Sequence, residues 1–387
     1  MIKFLKSRTT TTGFAMFAMF FGAGNVVFPL SVGQHAQDGN FWAIIGLLIT
    51  AVGVPFLGLV SMTLFSGDYQ KFFGRIGKIP GFIVSLLIIF LIGPLGALPR
   101  TIALSYSTTK MFLPNLSLPI FSAIACLIVF LFTFRKNKII DIIGHILTPL
   151  LLGSLMIIII KGLITGPPLT PTDYQPVTMF LHGLYEGYQT MDLLGAFFFS
   201  TVIIASLKKA AKEEEGDSSP KKLMSLTLKA SAIGGSLLSL VYCGFSYVAA
   251  LWSESLAVTR ADYFLGSLAI EILGPYAGIL ACVAVALACL TTAIALAAVS
   301  SEFLHYDILK DRVSYLFSLT AVLITTYFIS TLDFTGIMEF LAPILEVCYP
   351  ALILLSLLNM GYKLWGFKSV KIPITAVFII SLWGTLT

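Results

Sequence analysis

A short polar interruption in an apolar segment carries the first sign of chemistry in this sequence. Residues 21–29, FGAGNVVFP, place two glycines, an asparagine and a proline inside an apolar run. A helix that breaks there leaves backbone groups unpaired, which costs several kcal/mol for each group in lipid. Free N–H groups suit a carboxylate and free carbonyls suit a hard cation such as Na⁺. The alternative is close packing of small residues between helices, but Asn25 and Pro29 favour a binding site.

A second polar interruption, YQTMD at residues 188–192, contains an acidic residue inside an apolar stretch. A carboxylate at that depth is costly, so Asp192 is a functional candidate by default. The alternative is a structural role, in which Asp192 caps an unwound turn or bonds to a neighbouring helix. Arg100 is another charge inside an apolar stretch. It pairs with an acid such as Asp192, extends towards the interface, holds helices together or contacts the substrate directly.

Two adjacent hydroxyls, Thr291 and Thr292, lie at the middle of the apolar stretch 275–303. They supply two neutral oxygens to a hard cation without adding charge. The alternative is that each threonine bonds to the carbonyl four residues before it. The sequence has no nucleophile–histidine–aspartate arrangement, Walker loop or GxGxxG motif, and its five cysteines lack metal-ligand spacing. We therefore expect neither an enzyme nor a bound cofactor.

The elements that position these residues are membrane-spanning helices. The chain has 387 residues, of which 57% are hydrophobic and 11% are charged, whereas soluble domains have about 25% charged residues. A spanning helix needs roughly 20 mainly apolar residues. We predict an all-α polytopic membrane protein with about eleven spans, at residues 12–30, 41–65, 79–105, 119–134, 140–162, 184–207, 223–251, 275–303, 313–331, 335–358 and 371–387.

The distribution of basic residues predicts the orientation. Nineteen of the 24 lysines and arginines lie in one set of alternate segments, and cytoplasmic loops are the ones enriched in these residues. The N-terminus is then inside, and eleven spans place the C-terminus outside. The basic N-terminus leads into a full span without a small-residue cleavage pattern, so we expect no cleaved signal. Because the basic residues alternate between segments in this way, we expect a lipid bilayer as the partner and no nucleic acid.

The spans divide into two halves of opposite orientation within one transport domain, residues 1–387. A proline-rich external loop, 166–183, separates a first five-helix repeat (12–165) from a second (184–358), and a cytoplasmic loop and eleventh helix follow at 359–387. Inverted repeats are typical of secondary transporters, whose sites lie between the halves at the membrane midplane. We therefore expect helices 1 and 6 to be discontinuous. The semi-polar segment after span seven predicts short external helices that cap the bundle.

Four stretches together resemble the branched-chain amino acid:cation symporter family, the system II carriers. They are GFAMFAMFFGAGNVVFP (13–29), GPLGALPRTIALSY (93–106), YEGYQTMDLLGA (185–196) and ACLTTAIAL (288–296). The resemblance extends over nearly the whole chain. It implies the leucine-transporter-like fold with a five-plus-five inverted repeat and Na⁺-coupled uptake of leucine, isoleucine and valine. Family members commonly have twelve spans, and we expect transport to survive with eleven.

The resemblance also implies roles for individual residues. The substrate-binding residues are then Gly22, Ala23, Gly24, Asn25, Tyr188, Gln189, Thr190, Met191 and Asp192. The sodium ligands by position are Ala18, Phe21, Ala288, Thr291 and Thr292.

These observations lead to one expected function and two alternatives. We expect a Na⁺-driven symporter for branched-chain amino acids in the bacterial cytoplasmic (inner) membrane. The alternative is a proton-coupled permease for apolar amino acids, including methionine, with Asp192 or Glu186 as the proton carrier. A channel is a further rival, but the sequence shows no ring of repeated charges that would support one.

Overall fold

The computed structural model describes residues 8–134, 148–215, 219–274 and 278–386, and these residues form helices and no strands. In chain order the α-helices among them are α1 (Arg8–Phe20), α2 (Ala23–Ala36), α3 (Asn40–Leu48), α4 (Val54–Leu64), α5 (Tyr69–Phe73), α6 (Lys78–Ile92), α7 (Ala97–Lys110), α8 (Leu118–Thr133), α9 (Thr148–Thr165), α10 (Pro176–Gln189), α11 (Asp192–Glu215), α12 (Pro220–Leu251), α13 (Ser253–Leu256), α14 (Phe264–Leu273), α15 (Gly278–Phe303), α16 (Tyr315–Ser330), α17 (Asp333–Trp365) and α18 (Lys371–Leu386).

The prediction of an all-α polytopic protein is confirmed. In the described part of the chain, six helical stretches are long and apolar enough to cross a membrane, and the bent pair α10 and α11 adds a seventh. The first of these stretches, Ala23–Leu64, runs from α2 through nearly all of the second predicted span, 41–65. Helices α8, α16 and α18 are apolar but shorter. Each of the eleven predicted spans overlaps a helix, although parts of 140–162, 275–303 and 371–387 lie outside the described residues.

A lipid-facing surface is visible along α8. Its residues Ile120, Ile124, Leu127 and Leu131 are all more than half exposed. Their spacing of four, three and four residues places them on one face of the helix. A continuous apolar stripe without a protein partner is stable in lipid and unstable in water. The chain is therefore an integral membrane protein.

The first predicted break is present between α1 and α2. Gly22 has an extended backbone (φ −113°, ψ −157°), and its N–H donates to the side-chain oxygen of Asn25 at 3.1 Å. The side chain of Asn25 thereby caps the start of α2. Pro29 has no N–H, so the carbonyl of Asn25 lacks its usual partner in the next turn of the helix.

The second predicted break, between α10 and α11, bends the sixth span by 43°. Met191 lies at the corner with φ +67°, a left-handed conformation that side chains other than glycine seldom adopt. The turn is held by the Thr190 hydroxyl, which donates to the carbonyl of Gly187 at 2.8 Å. The expectation of discontinuous helices 1 and 6 is confirmed.

A third break, which the sequence analysis missed, divides the predicted span 79–105 into α6 and α7. Gly93, the first residue after α6, lies against α15, where a β-carbon would come within 2.3 Å of the Ser300 hydroxyl oxygen. Only glycine permits so close an approach. The break places Arg100 in the first turn of α7, deep inside the protein.

Two predicted loop boundaries are wrong. Helix α10 begins at Pro176, inside the predicted external loop 166–183, because proline is well tolerated in the first turn of a helix. Helix α17 extends to Trp365, into the predicted cytoplasmic loop, and ends at Gly366 in a left-handed cap. The predicted short helices after span seven are present as α13, α14 and the 3₁₀ turn Ala261–Tyr263.

Helices α3 and α10 pack with their backbones almost in contact. A β-carbon on Gly183 would lie 1.9 Å from the carbonyl oxygen of Ala43, and one on Gly46 would lie 2.2 Å from that of Phe180. Because these neighbours are backbone atoms, they cannot move aside as a flexible side chain would. The two glycines therefore fix the position of α10 and, with it, of the second break.

We predict that Gly183→Ala destabilises the protein, since overpacking costs about 1–3 kcal/mol. Its matched control is Gly153→Ala in α9, where a β-carbon meets no atom within 4 Å and alanine favours the helix by up to about 1 kcal/mol. Thermal unfolding of the detergent-purified protein measures both variants. Equal melting temperatures for the two would contradict this account of the α3–α10 contact.

Candidate functional site

The two breaks are joined by a buried hydrogen-bond network centred on Asn25. Its side-chain amide donates to Asp192 Oδ2 at 2.5 Å and also to the hydroxyl of Tyr242 on α12. The Tyr242 hydroxyl in turn donates to the same carboxylate oxygen at 3.3 Å. All three side chains are at most 5% exposed. Three distant parts of the chain thus meet at one carboxylate, which is satisfied by hydrogen bonds rather than by a countercharge.

Arg100 holds the end of α10 at the second break. Its Nη1 donates to the carbonyl oxygen of Gln189 at 2.9 Å, and Nη2 donates to that of Thr190 at 3.2 Å. A cation at the C-terminal end of a helix satisfies carbonyls that have no helical partner and complements the helix dipole. The possible pairing of Arg100 with Asp192 is not observed, since the described residues contain no salt bridge within 4 Å between them.

The two threonines of α15 face the first break. The hydroxyls of Thr291 and Thr292 lie 2.9 and 3.2 Å from the carbonyl oxygen of Ala18, and the Thr291 hydroxyl is also 3.0 Å from the carbonyl oxygen of Ala288. Phe21 lies at the same break, with its ring stacked on Phe17. The structure therefore brings four of the five predicted sodium ligands into one cluster of neutral oxygens. Bonding within their own helix, the alternative, applies in part, because the Thr291 hydroxyl also reaches the carbonyl three residues before it, while both hydroxyls reach Ala18 on α1.

Close approach of α15 to the first break depends on Gly22. A β-carbon there would lie 2.9 Å from the methyl group of Thr292 and 3.0 Å from its hydroxyl oxygen. The glycine thus permits contact between the break and the threonine pair. In the described part of the chain, no group of three or more histidine, cysteine or acidic side chains could hold a metal ion. A cation bound here would be held by neutral oxygens, as suits a hard monovalent ion.

A small cavity lies between the breaks. The residues that line it include the polar Asn25, Arg100 and Asp192 and the apolar Phe20 and Phe199. The cavity measures about 20 Å³, which is room for one water molecule. An amino acid can enter only when the surrounding helices move apart.

Most of the predicted substrate residues border this cavity. Those that line it are Gly22, Ala23, Gly24, Asn25, Thr190, Met191 and Asp192. Tyr188 and Gln189 are not among the lining residues: the Tyr188 ring packs on Tyr349 with centroids 5.1 Å apart, and the Gln189 side chain is buried elsewhere. Gln189 contributes instead through the backbone carbonyl that Arg100 binds.

The sequence analysis missed Tyr242 and the apolar walls. Tyr242 lies in the apolar stretch SLVYCGF, where a tyrosine gives no local sign of a polar partner. Its partners Asn25 and Asp192 are distant in sequence, so only the fold brings them together. A fully buried tyrosine usually requires a partner for its hydroxyl, and that requirement is the only available signal.

Comparison with known proteins identifies the family. A family model described as branched-chain amino acid transport protein matches residues 5–387. The chain belongs to this branched-chain amino acid transport family. It is 31% identical to a putative branched-chain amino acid carrier protein of Staphylococcus saprophyticus, over 98% of this chain and 88% of that one. A carrier of the same description from Staphylococcus aureus is 30% identical over 99% of this chain and 89% of the other.

Solved structures show the fold of this family member. The transporter MhsT in complex with L-phenylalanine matches 96% of this chain and 98% of its own length, with a TM-score of 0.65 and 14% identity. Mhp1, a nucleobase-cation-symport-1 family transporter in a closed conformation, matches 97% and 91%, with a TM-score of 0.64 and 12% identity. The predicted leucine-transporter-like fold is thus confirmed. The protein is an amino acid transporter of the membrane and not an enzyme.

We predict that Tyr242→Phe weakens the junction between the breaks. Removing the hydroxyl leaves a buried carboxylate with one fewer donor, at a cost of about 1–3 kcal/mol. The melting temperature of the purified transporter should fall. Tyr247→Phe, on the same helix and half-buried, is the matched control and should change it little. If both variants melt with the unaltered protein, the hydroxyl contributes nothing to the junction.

Proposed function

We propose that this transporter imports leucine, isoleucine and valine across the bacterial cytoplasmic membrane, driven by the Na⁺ gradient. The family and its carrier relatives support branched-chain amino acids as the substrate class. A Na⁺-coupled sialic acid symporter is among the solved structures with a similar fold, with a TM-score of 0.59 over 98% of this chain. That likeness concerns the fold alone, so the argument for Na⁺ depends on the residues of this chain.

The observation that supports Na⁺ is the convergence of the Thr291 and Thr292 hydroxyls on the carbonyl of Ala18. Two helices contribute oxygens to one point, and each hydroxyl can rotate to turn a lone pair towards an ion. An ion that bridges α1 and α15 would couple its own binding to the relative position of these helices. Such differential contacts are what allow a bound ion to shift a conformational equilibrium.

The shape and chemistry of the cavity support a zwitterion with an aliphatic side chain. Its lining combines charged and polar side chains, among them Asn25, Arg100 and Asp192, with the apolar side chains of Phe20 and Phe199. A methylene group in an apolar pocket contributes about 1–3 kcal/mol, so selectivity among leucine, isoleucine and valine should be weak. The three amino acids should therefore compete for one site.

Transport follows from exposure of this cavity to each side in turn. The breaks give α1, α2, α10 and α11 separate orientations, so the halves of each span can move while the bilayer-facing helices remain in place. Inward movement of one Na⁺ is also favoured by the membrane potential, by about 2.3 kcal/mol per 100 mV.

We predict that the double variant Thr291→Ala/Thr292→Ala loses the stimulation of leucine uptake by Na⁺. The variant lacks both hydroxyl oxygens that the side chains of α15 would offer to Na⁺. Uptake of radiolabelled leucine into proteoliposomes, with an inward Na⁺ gradient compared with choline at fixed pH, measures the effect. Thr326→Ala is the matched control, because Thr326 is buried but bonds to the carbonyl of Val322 in its own helix.

The outcomes separate the alternatives. The proposal requires that Na⁺ stimulates uptake by the unaltered protein and by Thr326→Ala, with little stimulation of the double variant. Retention of full Na⁺ stimulation by the double variant would place the ion elsewhere.

A second candidate, proton-coupled uptake, is favoured by one observation. Asp192 is a buried carboxylate at the junction of the breaks, and such a group is suited to carry a proton between the two sides of a membrane. This candidate predicts uptake that follows a pH gradient in the absence of Na⁺ and stops in Asp192→Asn. The same proteoliposomes, with an inward proton gradient in choline, provide the test.

A further inference from the structure

One side of the buried Arg100 guanidinium has a donor without a hydrogen-bond partner within the described residues. Arg100 is 2% exposed and carries a permanent charge. Nη1 and Nη2 donate to the adjacent carbonyls of Gln189 and Thr190, but Nε is buried and has no hydrogen-bond partner within the described residues. A buried donor without a partner costs about as much as a lost hydrogen bond and requires an explanation.

The position of Nη2 shows which region the unused donors border. A β-carbon on Gly24 would lie 2.7 Å from Nη2, so this nitrogen faces the first break, and Arg100 lines the cavity between the breaks. In a guanidinium group, Nε–H and one hydrogen of Nη2 point the same way and form a fork. Such a fork matches the two oxygens of a carboxylate, which gives a short, charge-assisted, bidentate pair.

Among the described residues that line the cavity, Asp192 is the only one with the opposite charge. It accepts hydrogen bonds from Asn25 and Tyr242, which are neutral, and makes no salt bridge with Arg100 among the described residues. Two opposite buried charges thus border one cavity, and within the described residues each is bonded to neutral groups and has no salt bridge to the other. A ligand with one negative and one positive group would compensate both.

We propose that Arg100 binds the α-carboxylate of the transported amino acid through Nε and Nη2, and that Asp192 binds its α-ammonium group. The assignment rests on the proposed function of this cavity as the amino acid site and names the residue that recognises each charge. It makes Arg100 a substrate-binding residue that also fixes the end of α10. Binding of the carboxylate therefore acts on the second break through the same side chain. Gly24 is then required to keep Nη2 open to the substrate.

Substrate analogues that lack one charge test the assignment. Leucinamide keeps the ammonium group but has no carboxylate, and 4-methylpentanoate keeps the carboxylate but has no ammonium group. Because a site built to bind a polar group rejects an analogue without it, we expect the unaltered protein to bind leucine at least about 100-fold more tightly than leucinamide. Competition against radiolabelled leucine, with purified protein in Na⁺, gives these affinities, and a direct thermal-shift titration gives them for variants that bind leucine weakly.

Arg100→Gln removes the charge and the fork. We expect leucine and 4-methylpentanoate to bind at least about 100-fold more weakly to this variant, and leucinamide to change by less than about tenfold. The preference for leucine over leucinamide should therefore nearly vanish. A role confined to holding the carbonyls of Gln189 and Thr190 would weaken all three ligands by the same factor and overturn the proposal.

Arg100→Lys is the conservative variant, which keeps the charge and loses the fork. It should recover part of the preference for leucine. If neither variant folds, the unaltered protein decides: leucine and 4-methylpentanoate should protect Arg100 from phenylglyoxal, as mapped by mass spectrometry, and leucinamide should not. Equal protection by leucine and leucinamide would contradict the proposal. Failure of the unaltered protein to bind leucine at all would instead overturn the proposed function.

Discussion

Every feature of the site follows from the need to satisfy polar backbone groups where a membrane helix is interrupted. The interruption after Phe20 and the one after Gln189 leave amides and carbonyls without helical partners. In lipid no water is available to bond them. The protein satisfies them with Asn25, which caps α2 and reaches Asp192, and with Arg100, which bonds the last carbonyls of α10. The groups that stabilise the breaks thereby also line the cavity.

The same arrangement explains how local chemistry becomes a conformational change. The Asn25–Asp192–Tyr242 network ties both breaks to α12, while the Thr291 and Thr292 hydroxyls join the first break to α15. A cavity of about 20 Å³ is too small for an amino acid, so substrate entry separates helices that these bonds hold together. An ion and a zwitterion that replace protein–protein bonds with protein–ligand bonds would bind one conformation more tightly than another. Alternating access requires such a difference in affinity.

Much of this could be predicted from the sequence, because the signals are local. Glycine, asparagine and proline in an apolar run predicted the first break, and an acid in YQTMD predicted the second. The threonine pair was found by its types and its depth. The break at Gly93 was missed although the sequence GPLG marks it. The need for glycine at this position comes from the close approach of Ser300, which is 207 positions away in the sequence. Tyr242 and the bonds of Arg100 to α10 are likewise products of tertiary packing. The sequence left open whether Arg100 pairs with Asp192 or holds helices together, and in the fold its donors bond to carbonyls at the end of α10.

The most direct test of the central claim, that ion and amino acid stabilise the same arrangement of the two breaks, is the reciprocity of their binding. Leucine affinity would be measured on the purified protein in Na⁺ and in choline, and Na⁺ affinity with and without leucine. The account predicts that each ligand tightens binding of the other by the same factor, at least about fivefold. A leucine affinity that is unchanged when choline replaces Na⁺ would contradict it.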